Sequence, residues 1–246
     1  QRQMCIRDSR YIYQYISEKY PETEIKFDIN KIKLVTIDIE VKSEKGFPTV
    51  EACDEEMLCI TLQDYATKRI LTFGVGPYHH NDKMVKYVQC NDEYDLLQHF
   101  VNFWSHDPPE VVTGWNCQLY DIPYLAKRIT RVLGDKACKK LSPWGLVTHE
   151  EIYMQGRAHT VYDIGGVTVL DYLDLYKKFT YKAQESYRLD YIGEVELGQK
   201  KLDHSEYDTF KDFYTKAWNK FVDYNIQDVR LVDSLEEKMK LIELAI

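Results

Sequence analysis

The chain has 246 residues, enough for one sizeable hydrophobic core or two small ones, and its 44% hydrophobic and 29% charged residues are typical of a globular protein. No uncharged run is long enough to cross a bilayer and no signal peptide opens the chain, so we expect a cytoplasmic protein with no membrane partner. The net charge of −8 disfavours broad binding to duplex nucleic acid, but it does not exclude a nucleic-acid enzyme whose metal ions offset local acidity. The six cysteines form no C-x-x-C pair and are expected to be reduced thiols.

Both ends of the chain suggest a piece of a longer protein. The chain begins at Gln1, and it ends at Ile246 inside an apolar helical pattern that has no stop signal. Residues 1–30 are interpreted as a connector or the remnant of a preceding domain, and residues 31–246 as the main domain.

The main domain opens with strands. Alternating residues predict a strand from Lys33 to Val41. Runs at Met57–Gln63 and Arg69–Gly74 predict a hairpin, and a short run at Lys86–Cys90 is expected to complete the meander.

The pattern then changes to helices and strands in alternation. An amphipathic helix is predicted through Trp104, then a buried strand at 110–115, and then a helix over 121–133 that ends at Gly134. Further along, the sequence predicts the following elements: a hairpin over 158–170 turning at Gly165-Gly166, short helices at 171–178 and 187–195, and a long final helix from Phe210 that is interrupted near 214–217. This order predicts an α/β fold, a mixed sheet flanked by helices with an additional hairpin.

Two acidic residues lie on the first predicted strand. Asp38 and Glu40 are two residues apart, so they project from the same face of the strand, opposite a wholly aliphatic face. An edge strand with a wet polar face would explain them without function. The apolar opposite face favours a central strand and therefore a functional pair.

A third acid opens the helix after the second buried strand. Asp121, followed by Ile122-Pro123, fits an ordinary helix start. Asn116 lies five residues earlier at the end of a strand, where ligands of such sheets bind, and its amide could hold a nucleotide sugar or base edge.

A fourth acid lies on the inward face of the final helix. The apolar stripe of that helix runs at spacings of four and three through Phe221, Asn225, Asp228, Val232, Leu235, Met239 and Ile242. A carboxylate at such a position costs several kcal/mol unless it is paired or bound to a metal. Tyr224 lies one turn earlier on nearly the same face, and a plain core tyrosine or a core Asp paired with Arg or Lys remain the alternatives.

These motifs together resemble a known family. D-I-E at 38–40, N-x-x-x-Y-D at 116–121 and Y-x-x-x-D at 224–228 are similar to the three exonuclease motifs of the DEDDy proofreading nucleases, which have an RNase H-like fold. The segments Val112–Asn116, Val169–Phe179 and Tyr187–Ile192 further resemble family B DNA polymerases, especially the replicative enzymes of T-even-type bacteriophages. The resemblance covers the chain from about residue 12 to its end.

The resemblance implies a two-metal 3′–5′ exonuclease that uses Mg²⁺ or Mn²⁺. Asp38, Glu40 and Asp228 would hold the catalytic metal. Asp121 would support a second metal, partly through water, and Tyr224 would orient the attacking water. The implied substrate is the 3′ end of single-stranded DNA, from which deoxynucleoside 5′-monophosphates are released.

Other residues resemble substrate contacts of the family. Asn116, Tyr120 and the Arg188-Leu189 segment correspond to positions that grip the last nucleotides, although the family often has Ser or Thr where this chain has Arg188. The hairpin near Gly165-Gly166 resembles the element that helps to separate primer from template. Lys177 or Lys178 could steady the transition-state charge, or could be solvated helix lysines.

The resemblance also implies partners and leaves alternatives. Expected partners are the polymerase domain of the same full-length chain and a sliding clamp, in the cytoplasm of a bacterial host if a phage encodes the protein. No palm motif of the D-T-D-S kind is present, so this piece is expected not to extend a primer. A freestanding DEDDy nuclease and an inactive nucleic-acid-binding module are the alternatives; the truncated end disfavours the first, and the four retained acids disfavour the second.

Overall fold

The computed structural model describes residues 11–21, 28–44, 46–154, 156–198, 207 and 209–246. Cys5 and most of the predicted connector, apart from residues 11–21 and 28–30, lie outside these residues. Five other cysteines, at positions 53, 59, 90, 117 and 138, are free and buried, as expected for reduced thiols. No helix within the described ranges is long and apolar enough to span a membrane.

A mixed sheet of six strands forms the centre of the molecule. Its strands are β1 (Leu34–Val41), β2 (Met57–Asp64), β3 (Ile70–Gly74), β4 (Val85–Gln89), β5 (Val111–Gly114) and, named β8 for its place in the chain, Thr168–Asp171. They lie in the order β4-β3-β2-β1-β5-β8. β1 is antiparallel to β2 and parallel to β5, so it is an interior strand. A separate antiparallel pair consists of β6 (Val147–Met154) and β7 (Arg157–Ile164).

Helices cover both faces of the sheet. In the described part of the chain they are α1 (Tyr11–Lys19), α2 (Glu93–His106), α3 (Asp121–Leu133), α4 (Asp135–Cys138), α5 (Tyr172–Phe179), α6 (Leu189–Leu197), α7 (Phe210–Lys216), α8 (Trp218–Met239) and α9 (Leu241–Ala245). Asp92 caps α2 by accepting the N–H of Asp95, and Gly134, at φ +89°, ends α3. The predicted α/β architecture, a mixed sheet flanked by helices with a separate hairpin, is confirmed.

The period-two pattern of β1 divides its side chains between two cores. Ile37 and Ile39 face α2 and α3, whereas Leu34 faces the side that α5, α6 and α8 cover. Burial of each such aliphatic side chain contributes about 1.5–3 kcal/mol to folding. The helix α8 packs across β1 and β2 and holds a third apolar cluster with Phe213 and Phe221. The face of β1 that carries Asp38 therefore lies under α8.

The prediction of a hairpin within residues 158–170 is wrong about which strands pair with each other. β7 pairs with β6, and the register of this pair ends at Met154 opposite Arg157. The Gly165-Gly166 turn does exist, because Val167 N donates to Ile164 O, but it carries the chain from β7 into β8 of the main sheet. β6 escaped prediction because its side chains are mostly exposed, so no buried face imposes an alternating pattern on its sequence.

One smaller expectation is wrong, and another is confirmed with an addition. β4 does not complete an antiparallel meander, since it pairs with β3 in parallel after the chain crosses over through residues 75–84. The final helix is interrupted at Ala217, within the predicted window, and again at Lys240, which adopts a left-handed conformation at φ +53°.

Candidate functional site

Asp38 and Glu40 lie on the interior strand of the sheet. β1 has hydrogen-bonded neighbours on both sides, so the alternative of a wet edge strand is wrong. Glu40 is buried and Asp38 is half-buried, on the face that α8 covers. Two carboxylates are thus held inside the fold by backbone pairing, not on a solvated rim.

The helix α8 brings Asp228 to the same place. Asp228 is 6% exposed, and one carboxylate oxygen from each of Asp38, Glu40 and Asp228 lies within 4.8 Å of the other two. At an effective dielectric constant of about 20, two unit negative charges at that separation repel by about 3.5 kcal/mol. We call Asp38, Glu40 and Asp228 the carboxylate triad.

The triad fits a hard divalent cation. Two oxygens on opposite sides of one octahedral Mg²⁺ lie about 4.2 Å apart, since each is about 2.1 Å from the ion. The 4.8 Å limit within the triad therefore needs only small side-chain adjustments to match. All-oxygen ligands suit Mg²⁺ and Mn²⁺, so these residues can hold either ion.

Asp121 lies beside the triad and binds the backbone of β1. Its Oδ1 accepts the N–H of Ile39 at 3.1 Å, and Ile39 stands between Asp38 and Glu40 in sequence. That N–H lies beyond the end of β5, which pairs with residues 34–36 only. The carboxylate does not cap its own helix, because Tyr120 occupies the N-cap position.

Burial gives Asp121 an unusual protonation equilibrium. The pKa of its carboxyl group is raised to about 8, mainly by loss of hydration and also by the nearby charges of Asp171 and Asp228, while the N–H of Ile39 opposes the shift. An acid with such a pKa is mostly protonated at neutral pH when no cation is bound, and a bound cation would favour its ionised form. Asp121 is therefore available to a second cation, although it lies outside the triad.

The loop between β5 and α3 is anchored by Asp171, which the site prediction did not include. Asp171 accepts the N–H of Asn116 at 3.1 Å and of Gln118 at 2.9 Å, and it caps α5 through the N–H of Leu173 at 2.9 Å. The anchor holds Asn116 at φ +64°, a conformation that asparagine tolerates better than most residues. A helix-cap pattern at Asp171 was visible in the sequence, but its contact with the Asn116 loop was not.

Gly114 explains how this loop approaches β1 so closely. A Cβ atom at Gly114 would lie 2.5 Å from the carbonyl oxygen of Ile37 and 2.9 Å from Cβ of Cys117. Any other residue would force β5 and the loop away from the strand that carries Asp38.

Aromatic side chains border the site. Tyr224, one turn before Asp228 on α8, is half-buried with its ring edge-on to Phe213 at 5.8 Å. Tyr120 lies between the rings of Tyr124, at 5.6 Å, and Phe47, at 5.5 Å. Phe47 is 80% exposed in the loop after β1 and was not predicted. The sequence feature that could have identified Phe47 is its place between Gly46 and Pro48, where an aromatic residue is expected in a loop and not in the core.

The remaining predicted contacts occupy different environments. Arg188 is exposed and lies 3.6 Å from Asp190, whereas the side chain of Leu189 is buried in the core that α5, α6 and α8 share. Leu189 can therefore reach a substrate only through its backbone. Lys177 and Lys178 are exposed, with their ammonium groups 5.3 and 5.5 Å from the ring centres of Tyr187 and Phe179, respectively.

Asn225 is a further residue at the site that the sequence interpretation did not assign. It is fully buried on α8, and its Nδ2 donates to Oδ2 of Asp38 at 2.6 Å. The sequence showed Asn225 on the inward stripe of the helix, but its partner lies 187 positions away.

Comparison with known proteins places the chain among nucleic-acid enzymes. Residues 7–192 match the family model described as DNA polymerase family B, exonuclease domain. This match includes Asp38, Glu40 and Asp121, while Tyr224 and Asp228 lie beyond it.

Individual relatives extend the similarity over most of the chain. The chain is 32% identical to the DNA-directed DNA polymerase of Escherichia phage RB69 and 28% identical to that of Enterobacteria phage T4, in each case over 94% of its length. It is 27% identical to the DNA polymerase catalytic subunit of psittacid herpesvirus 1, over 84% of its length and 20% of the relative. The chain spans only 28% of the length of each of the two phage polymerases.

Proposed function

This chain belongs to the DNA polymerase family B exonuclease domains, and we propose that it is the proofreading 3′–5′ exonuclease of a longer polymerase. It hydrolyses the terminal phosphodiester of a single-stranded DNA 3′ end and releases a deoxynucleoside 5′-monophosphate. The carboxylate triad carries this proposal, because three acidic oxygens within 4.8 Å of one another suit the binding of a catalytic cation.

Two divalent cations complete the site in this proposal. Asp38, Glu40 and Asp228 hold the first, and Asp121 supports the second, partly through water. When bound, such a pair of ions lowers the pKa of the attacking water and stabilises the departing 3′-oxygen. The interior position of β1 and the packing of α8 hold the ligands in place before the substrate arrives.

Side chains around the triad position the substrate. The hydroxyl group of Tyr224 orients the attacking water from one turn before Asp228. The amide of Asn116 binds the sugar or base edge of the terminal nucleotide, and its anchored loop gives that contact a fixed direction. The exposed ring of Phe47, supported by Tyr120, offers a surface on which a base can stack.

The full-length protein supplies the other partners. We propose that a polymerase domain in the same chain delivers the frayed primer end, and that a sliding clamp holds the whole enzyme on DNA. The phage relatives support the bacterial cytoplasm as the place where this occurs. The hairpin of β6 and β7 takes the strand-separating role that the sequence interpretation gave to residues near Gly165-Gly166.

The test is a nuclease assay on a 5′-labelled single-stranded oligonucleotide. We expect a ladder of products shortened from the 3′ end in Mg²⁺ or Mn²⁺, and no shortening in a chelator. Asp38→Ala should abolish the ladder. Glu237→Ala, which removes an exposed acid from the same helix as Asp228, should leave it unchanged. Single-strand binding without metal-dependent shortening would identify an inactive binding module instead.

A further inference from the structure

An amide of α8 sits directly against the carboxylate triad. Asn225 precedes Asp228 by three residues, so both side chains leave the helix on the same face. The amide is fully buried, and its Nδ2 donates a 2.6 Å hydrogen bond to Oδ2 of Asp38. One helix thus supplies both a carboxylate of the triad and a donor to another of its members.

The orientation of this amide follows from chemistry. An ionised carboxylate only accepts hydrogen bonds, so the nitrogen of Asn225, and not its oxygen, must face Asp38. The amide oxygen consequently points away, and among the described residues this buried Oδ1 has no hydrogen-bond partner. A buried acceptor without a partner lowers stability, whereas a leucine of similar size would continue the apolar stripe of α8 without that cost. The hydrogen bond to Asp38 is therefore the contact that accounts for an asparagine here.

We propose that Asn225 is a positioning residue that fixes the Asp38 carboxylate for cation binding. With Oδ2 held by the amide, rotation of the carboxylate is restricted, so its orientation towards the cation is fixed. Hydrogen-bond partners of metal ligands typically change metal affinity by about 10- to 100-fold. This inference rests on the proposed metal site.

A second buried amide, on β2, gives a matched control. Nε2 of buried Gln63 donates to Oδ2 of Asp233, also on α8, at 3.1 Å, and Oε1 of Gln63 likewise has no partner among the described residues. Lys68 also holds Asp233, at 2.8 Å, so that carboxylate already has a cation. Gln63→Leu and Asn225→Leu therefore remove the same kind of bond, but only Asn225→Leu removes it from the triad.

The experiment measures two properties of the 246-residue chain and its variants. Calorimetry gives the affinity for Mn²⁺, and thermal melting in a chelator gives the stability of the metal-free protein. Asn225→Leu should weaken Mn²⁺ binding by about 10- to 100-fold, with no loss of melting temperature in the metal-free protein. Gln63→Leu should bind Mn²⁺ as the wild type does. In nuclease assays, Asn225→Leu should need more Mn²⁺ for half-maximal rate and recover activity when Mn²⁺ is raised.

A second variant protects the test against misfolding. Asn225→Ser leaves space for a water molecule to bridge to Asp38, and we expect a smaller weakening of Mn²⁺ binding than for Asn225→Leu. Unchanged Mn²⁺ affinity in both variants, equal weakening in Gln63→Leu, or failure of both variants to fold would each overturn the positioning role. If the wild type itself bound no Mn²⁺, the proposed metal site would fail, an outcome distinct from the failure of Asn225 alone.

Discussion

Two clusters on opposite faces of the sheet bury charge in opposite ways. On the face of α2 and α3, Arg128 and Glu93 form an ion pair with both side chains below 10% exposure. Arg128 Nε donates to Glu93 at 2.7 Å, the N–H of Met57 donates to Glu93 at 2.9 Å, and Arg128 donates to the carbonyl oxygen of Cys53 at 3.1 Å. On the face of α8, like charges lie together in the carboxylate triad.

The difference separates a structural cluster from a functional one. The Arg128–Glu93 cluster contains its own counter-charge, and each nitrogen of the Arg128 guanidinium donates a hydrogen bond, so the cluster needs no ion from solution. The triad concentrates negative charge at a place where the fold gains from a bound cation. Removing a charge should therefore damage stability on one face and catalysis on the other.

Asp228→Asn should give the largest effect. The change keeps the shape of the side chain, but it removes a proposed metal ligand; if that ligand contributes several kcal/mol to the transition state, cleavage should slow by about a thousandfold or more. In a chelator, the melting temperature should stay the same or rise, because one like charge is gone. Single-turnover cleavage and thermal melting measure the two effects. A melting temperature several degrees lower in the chelator would place Asp228 with the structural cluster and erase the contrast.

Arg128→Met should produce the opposite result. It leaves Glu93 charged and buried without its partner, which typically costs about 3–5 kcal/mol of unfolding free energy. Urea unfolding measures this loss, while cleavage per folded molecule should match the wild type. The double variant Arg128→Met with Glu93→Met should recover part of the loss, because it leaves no lone buried charge. A folded but inactive Arg128→Met protein would show that the two faces are coupled.

The pH dependence of stability sharpens the contrast further. Because burial raises the pKa of Asp121 from 3.8 to about 8, the folded state favours the protonated acid, and this contribution to stability is present below about pH 4 and lost as the pH rises towards 8. In a chelator, unfolding free energy should fall over this range by up to about 1.4 kcal/mol per pH unit for one proton. Burial also raises the pKa values of Asp171, Asp233 and Glu236, which act in the same direction.

Asp121→Asn isolates the contribution of this one residue. The variant should show a flatter dependence of unfolding free energy on pH than the wild type, measured by urea unfolding at pH 5 and pH 7.5 in a chelator. Equal slopes in the two proteins would mean that Asp121 ionises normally despite its burial.

The same contrast explains what could be predicted from the sequence. The strand with Asp38 and Glu40 and the helix with Asp228 were predictable, because each places acids in a pattern that burial otherwise makes apolar. A carboxylate among aliphatic residues can be recognised from the sequence alone. The Arg128–Glu93 pair was not predicted, since its partners lie on two amphipathic helices where charged residues are common.

The parts that escaped prediction depend on distant partners or on weak patterns. Asn225 and Asp171 act through hydrogen bonds to residues 187 and 55 positions away, and a single sequence contains no record of such contacts. β6 is mostly exposed, and the parallel direction of β4 depends on a crossover that no local pattern encodes.

Aromatic residues provide the smallest and last test of the comparison. Trp104 is 2% exposed and donates its indole N–H to the carbonyl oxygen of Leu141 at 2.8 Å, so it belongs to the structural face. Phe47 is 80% exposed, so its ring contributes little to the core and is accessible from solvent. If the ring stacks on a base, Phe47→Ala should weaken single-strand binding by about 1–3 kcal/mol while the melting temperature stays unchanged.

Fluorescence anisotropy with a labelled single strand, in a chelator to prevent cleavage, measures this effect as a rise in Kd of about 5- to 150-fold. Tyr94→Ala is the matched control, because it removes a ring that is 57% exposed on α2, on the structural face of the sheet. Equal losses in the two variants would mean that DNA contacts aromatic residues without regard to the triad. A loss confined to Phe47→Ala would place the 3′ end of the strand on the loop that follows Asp38 and Glu40, within reach of the carboxylates.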